Sequence, residues 1–190
     1  MKFTRTKIED VVIIEPKVHG DERGYFVETF RQDLLEEFLG FSLNFCQDNE
    51  SKSSRGVLRG LHYQLQPFAQ TKLVRVIKGK VLDVAVDIRE GSPTFGEYVA
   101  VELSEENKKQ LFVPRGFAHG FVVLEDDTIF AYKVDNYYSP ECDRGIAFDD
   151  PSIGIDWGLP KEELKLSKKD QKQPLLKDAE IFNIKDKLYE

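Results

Sequence analysis

Histidine, cysteine and tryptophan are scarce in this chain, and long apolar runs are missing altogether. The only cysteines, Cys46 and Cys142, lie far apart with no CxxC spacing, so they form no metal or redox motif and fit a reducing compartment. No stretch approaches the about 20 apolar residues that a membrane helix needs. The opening Met1-Lys2-Phe3-Thr4-Arg5 lacks the apolar region of a secretory leader, which makes a cytoplasmic protein the expectation. A basic excess is absent too: the net charge of -7 argues against nucleic acid or an anionic membrane as partner. It does not exclude an anionic small molecule, because a local cluster of Lys and Arg can hold a phosphate inside an acidic protein. There is no internal repeat and no Gly/Ser linker, so the 190 residues are expected to fold as one domain with its own core.

What is present is a succession of short apolar runs broken by turn residues. Residues 11–14 read as a strand ending at Pro16, residues 19–24 as a charged turn, and residues 25–30 as a second strand. The spacing of Leu34, Leu35, Phe38 and Leu39 predicts a helix over 32–39 that Gly40 stops. From residue 43 the signal is β: strands are expected at 43–49, 57–65, 72–77, 81–88, 98–103, 109–113, 117–124 and 128–137. The run 81–88 alternates cleanly, with Leu82, Val84, Val86 and Ile88 on one face and Val81, Asp83, Ala85 and Asp87 on the other. Many short strands with frequent turns point to a sandwich or barrel and not to a βαβ fold. Past Pro140 loop signals accumulate. Residues 161–164 suit one helical turn, and Ser167 is placed to cap a short tail helix.

The stretch Arg59-Gly60-Leu61-His62-Tyr63-Gln64 concentrates reactive side chains in a predicted strand. Strict alternation puts His62 on the face of Leu58 and Gln64 and Arg59 on the other. Gly60 is the residue type that permits a bulge or a close backbone approach, which could turn both toward one pocket. His62 can be a structural histidine, or the proton acceptor its neutral-range pKa suits it to be. Tyr132 can be an ordinary strand aromatic or a proton donor that is uncharged at rest, while Lys72 and Arg59 can hold an anion or stabilise an enolate. Val113-Pro114-Arg115-Gly116-Phe117-Ala118-His119-Gly120 resembles the second signature of the cupin superfamily, a jelly-roll barrel. The first cupin signature adds a further His pair, but His62 is followed by Tyr63 and Gln64, and His19 sits far away in a turn. A metal site is therefore not expected.

Taken together, Arg59 to Gln64, Val113 to Phe121, Tyr132 to Glu141, Arg144-Gly145-Ile146 and Asp150-Pro151 with Ile155-Asp156-Trp157 resemble the dTDP-4-dehydrorhamnose 3,5-epimerase family. The likeness runs from the turn at Gly20 to Leu176. It implies a metal-free jelly roll with short helices near the N-terminus and in the tail, divided into an N-terminal arm of about 1–40, a core of about 41–150 and a tail of about 151–190. It implies His62 as base, Tyr132 as acid, Lys72 at the substrate's C4 oxygen, and Asp170 as the carboxylate that orients His62, with Asp83 as a second candidate for that task. Arg23, Glu28, Gln47, Asn49, Arg59, His119, Asp143 and Lys168 fall where the family binds the nucleotide-sugar, and Tyr138 matches the aromatic that stacks on thymine. Asp143 stands where glutamate is commoner, one methylene short.

The implied reaction needs no cofactor. C3 and C5 of a 4-keto sugar are acidified by the carbonyl between them, so a base can take a proton and an acid can return one to the opposite face. The product would be dTDP-4-dehydro-L-rhamnose, made from dTDP-4-dehydro-6-deoxy-D-glucose in dTDP-L-rhamnose biosynthesis. A homodimer is implied as well, with the N-terminal arm reaching into the partner's barrel. The competing readings are a mono-epimerase acting at C3 or C5 alone, a non-catalytic sugar-binding cupin and a metal-dependent oxygenase.

Overall fold

The computed structural model describes residues 1–189. Its strands are β1 (Lys2–Arg5), β2 (Val12–Glu15), β3 (Val18–Asp21), β4 (Gly24–Val27), β5 (Gln47–Ser53), β6 (Leu58–Gln64), β7 (Lys72–Lys78) and β8 (Lys80–Asp87). There follow β9 (Arg89–Glu90), β10 (Tyr98–Ser104), β11 (Gln110–Val113), β12 (Phe117–Val123), β13 (Thr128–Val134), β14 (Asp143–Gly145) and β15 (Phe182–Asn183). One helix, α1 (Gln32–Leu39), interrupts them between β4 and β5. Two antiparallel sheets face each other as a jelly roll, ordered β1-β2-β11-β7-β13-β5 and β10-β8-β12-β6-β14. No helix among the described residues is long and apolar enough to cross a membrane.

Alternation along the strands sorts the apolar residues into three layers. The inner layer between the sheets gathers Val74, Val76, Val81, Ala85, Leu111, Phe117, Phe121 and Phe130. The opposite face of the five-stranded sheet carries Leu58, Leu61, Tyr63, Val84, Val86 and Ala118, and the tail covers it with Ile153, Trp157, Leu176 and Phe182. The outer face of the six-stranded sheet carries Val12, Ile14, Leu73 and Phe112, which α1 covers with Leu35. The five-stranded sheet is thus covered on both faces, which is why every residue of β12 and all of β8 but Lys80 and Leu82 are buried. The helix ends where expected: Gly40 takes a left-handed φ of 81° and its N–H donates to the Glu36 carbonyl at 2.8 Å.

Several expectations are revised. The supposed N-terminal arm is divided, since β1 and β2 are members of the six-stranded sheet and only the β3–β4 hairpin stands away with every residue but Val27 exposed. The strand expected at 43–49 lies instead at Gln47–Ser53, a stretch without one apolar residue. The tail's expected helical turns are present in 3-10 form, at Lys161–Glu163 and Asp170–Lys172, and a third, unforeseen one lies at Leu176–Asp178.

The Gly60 position behaves as a bulge. His62 lies opposite His119 and Arg59 opposite Phe121, so three steps on β6 match two on β12. The extra residue resets the alternation and brings Arg59 and His62 to the same face, while Leu58 goes to the other. Gly60 has φ +136°, and a Cβ there would stand 2.5 Å from the Cα of Gly120. A Cβ on Gly120 would in turn stand 2.9 Å from the Arg59 carbonyl oxygen. Backbone meets backbone, so neither neighbour can yield. Gly60→Ala is therefore expected to destabilise the fold by about 2 kcal/mol or more. Denaturant unfolding monitored at Trp157 measures the loss, and a variant as stable as the parent would contradict the close approach.

Candidate active site

One end of the inner layer is polar. Gln47, Asn49, Ser51 and Ser53 of β5 lie opposite Val134, Tyr132, Phe130 and Thr128 of β13, and so share the inner face with them. This explains the missed strand: β5 turns polar side chains inward and charged ones outward, and no apolar period is left to read. Across the barrel, the five-stranded sheet contributes Arg59, His62, His119 and Asp83 to the same chamber. The six-stranded sheet contributes Lys72 and Tyr132.

Both imidazoles are backed by carboxylates. His62 donates from Nε2 to Asp170 Oδ1 at 2.6 Å. Because a carboxylate only accepts, this bond places the proton on Nε2 and leaves the lone pair on Nδ1. Asp170 is buried, and its other oxygen accepts from Ser167 Oγ at 2.8 Å. Burial works against its ionisation, but the hydrogen bonds from His62 and Ser167 outweigh it and hold the carboxyl below the usual carboxylate range. His119 donates from Nε2 to both oxygens of Asp83 at 3.0 Å. Burial pushes the His119 pKa down against the pull of Asp83, so this ring stays neutral. Asp170, and not Asp83, is the carboxylate against His62.

Lys72 donates from Nζ to the His62 carbonyl oxygen at 3.3 Å, which ties the two sheets together at the chamber floor. Burial lowers its pKa to about 8, with Asp83 and Asp143 opposing the shift. Tyr132 packs on Phe130 with ring centroids 6.1 Å apart, and burial raises its pKa although Arg59 pulls the other way. Arg59 is exposed at the mouth and donates to Ser53 Oγ at 3.1 Å. Gln47 donates to Asn49 Oδ1 at 2.8 Å. At the rim, exposed Tyr138 donates to Asp143 Oδ2 at 3.0 Å, and Lys169 pairs with the same carboxylate.

Three expected site residues lie apart from this group. Arg23 and Glu28 are on or beside the β3–β4 hairpin, paired with Asp21 and Arg31. Lys168 is exposed, and its neighbour Lys169 is the lysine that reaches Asp143. Lys169 and Ser53 were not foreseen. The signal for the Ser167 contact was available in the Ser-x-x-Asp pattern at 167–170, where the Asp170 N–H donates to Ser167 Oγ at 3.1 Å. A cavity of about 290 Å³ is lined by Thr29, Phe30, Leu73, Arg75 and Gln110 together with Asn49 and Tyr132 of the site.

Proton donors and acceptors aimed into a jelly-roll barrel define an enzyme of the cupin class. The sequence model described as dTDP-4-dehydrorhamnose 3,5-epimerase matches residues 5–178, and the chain belongs to that family. It is 56% identical over 182 residues to the dTDP-4-dehydrorhamnose 3,5-epimerase of Shigella flexneri, covering 96% of this chain and 99% of that one. The fold matches the dTDP-6-deoxy-D-glucose-3,5-epimerase of Legionella pneumophila, solved in complex with dTDP-4-keto-L-rhamnose. There the TM-score is 0.93 and the identity 49%, over 97% of this chain and 99% of that one. The 3'-monoepimerase ChmJ of Streptomyces bikiniensis, solved with dTDP-quinovose, matches at 34% identity and a TM-score of 0.85, over 91% and 87% of the two chains.

The surroundings of Lys72 give a direct test of the chamber's electrostatics. Its ammonium is expected to lose its proton near pH 8, visible as a lysine 13Cε titration that vanishes in Lys72→Met. Asp83 favours the charged form, so Asp83→Asn moves the midpoint lower. A midpoint that rises or stays in that variant would contradict the geometry.

Proposed function

We propose that this enzyme inverts C3 and C5 of dTDP-4-dehydro-6-deoxy-D-glucose to give dTDP-4-dehydro-L-rhamnose. The observation that carries the reading is the placement of a lone-pair imidazole nitrogen on one sheet and a half-buried phenol on the other, across one chamber. Inversion at carbon needs a base on one side of the sugar ring and an acid on the other, and two facing sheets supply them. The Legionella pneumophila relative, described with dTDP-4-keto-L-rhamnose, supports the choice of substrate.

In this mechanism His62 Nδ1 takes the proton from the carbon next to the keto group, and the electron pair moves onto O4. The imidazolium formed is stabilised by Asp170 behind it. Lys72, charged below about pH 8, stabilises the enolate oxygen. Tyr132 then gives its proton to the carbon from the opposite face, and solvent restores both groups. The keto group is the electron sink, so the reaction calls for no cofactor. Holding Tyr132 protonated through burial fits the acid role, because a phenolate could not donate.

The nucleotide half of the substrate carries the negative charge. Arg59 at the mouth and the Tyr138–Asp143–Lys169 group at the rim are positioned to meet diphosphate and base. Arg23 and Glu28 are assigned to the site of a second subunit. Their hairpin lies outside the two large sheets, touching Lys108 through Tyr25, and exposes Tyr25 and Phe26 by 61% and 65%, an arrangement suited to insertion into a partner. The homodimer is expected to persist at micromolar concentration in sedimentation, and a fully active monomer would remove this assignment.

Exchange and inversion separate the two roles. In deuterated buffer Tyr132→Phe is expected to wash deuterium into C3 and C5 while the rate of inversion falls about 10²- to 10⁴-fold. His62→Asn is expected to lose both. The same NMR experiment distinguishes a mono-epimerase, in which only one of the two carbons would invert. Inversion by Tyr132→Phe near the parent rate, or rapid exchange by His62→Asn, would overturn the scheme.

A further inference from the structure

Lys72 is the first residue of β7, and both neighbouring strands stop beside it. Its cross-strand partners are Val113, the last residue of β11, and Val134, the last residue of β13. Beyond Lys72 the ladder is reduced to one long backbone bond, from the Asp135 N–H to the Thr71 carbonyl at 3.4 Å, and strand ends so weakly paired fray. Yet an ammonium that must meet one oxygen needs its strand held still.

Beyond the ladder a closed ring of hydrogen bonds takes over. The Thr71 N–H donates to Asp135 Oδ1 at 2.6 Å, and Arg115 donates from Nε to Asp135 Oδ2 at 3.1 Å. The Arg115 N–H donates to the Tyr189 hydroxyl at 2.9 Å, and that hydroxyl lies 2.9 Å from Thr71 Oγ1. The two hydroxyls share one hydrogen bond, in which either can be the donor. Arg115 also donates from Nη1 to the Leu188 carbonyl at 2.6 Å and lies over the Tyr189 ring at 5.1 Å. The ring of Tyr189 packs on Phe41 with centroids 4.7 Å apart. The tail that covers the five-stranded sheet thus crosses over and closes on the residue preceding Lys72, a residue with no exposed surface.

We propose that Tyr189 is a positioning residue for catalysis, its hydroxyl holding Thr71 and thereby the strand end that carries Lys72. The inference rests on the assignment of Lys72 to the enolate oxygen. A purely structural tail contact would affect stability alone, whereas a positioning contact reaches the chemistry through one hydroxyl.

Tyr189→Phe keeps the ring on Phe41 and removes only that hydroxyl. Thr71→Val removes its partner from the other side without changing the volume. Each variant is expected to lower kcat about tenfold with KM held within about twofold. Because the hydroxyls act on one contact, the double variant is expected to be no slower than either single one. The Lys72 13Cε midpoint is read in parallel. A loosened strand end admits water, so the midpoint rises from about 8 toward the ordinary lysine value. A shifted midpoint with unchanged kcat supports the positioning of Lys72 while removing its catalytic assignment. Parental kcat and midpoint in both single variants overturn the proposal, whatever happens to the melting temperature, and so does a double variant whose losses multiply.

Discussion

The chamber depends on two glycines that let one backbone touch another. Where β6 crosses β12, Gly60 and Gly120 leave no room for a side chain on either strand, and the extra residue that this contact accommodates shifts the alternation of β6 by one. Arg59 and His62 then point the same way, into the barrel. Without that shift the strand would turn one of them out of the chamber. The remaining contacts of the site follow from it: His62 lies opposite His119, its Nε2 meets Asp170 from the tail, and its carbonyl accepts from Lys72 of the facing sheet.

Charge in the chamber is arranged so that each buried group has a stated partner. Asp83 and Asp170 each take an imidazole N–H, and Lys72 lies near enough to Asp83 and Asp143 to feel both. Among the described residues no buried side-chain nitrogen or oxygen lacks a hydrogen-bond partner. Such networks are costly to break because the low dielectric that strengthens them also penalises any orphaned member. This also resolves the mismatch between an acidic chain and an anionic substrate. The net charge of -7 belongs to the chain as a whole, and charges at an exposed surface are screened by solvent and salt. The cations of the chamber, Lys72 and Arg59, are few and close.

The layers outside the barrel serve the chamber as well as the fold. The tail buries Trp157, Leu176 and Phe182 against the five-stranded sheet, and that packing carries Asp170 to His62 and Tyr189 to Thr71. Residues more than a hundred positions apart meet there, so their union is made by hydrophobic burial of the tail and not by local structure. On the other side, α1 lays Leu35 on Val12, Ile14 and Phe112, which anchors the chain before it enters β5.

The alternation of residues 81–88, the helix over 32–39 with its Gly40 stop, and the succession of turns were enough to read an all-β barrel from the chain alone, because burial on a strand or helix face leaves its period in the sequence. The motifs around His62, His119 and Tyr132 were legible through their resemblance to the family, not through any period. β5 was not placed correctly, because a strand that turns Gln47, Asn49, Ser51 and Ser53 toward a polar chamber has no apolar period to display. The assignment of Asp170 to His62 and Asp83 to His119, the reach of Lys169 in place of Lys168, and the closure of Tyr189 on Thr71 were decided by tertiary structure. Each joins elements distant in sequence, and no local pattern specifies which of two similar carboxylates or lysines the packing of the tail will bring within hydrogen-bond reach.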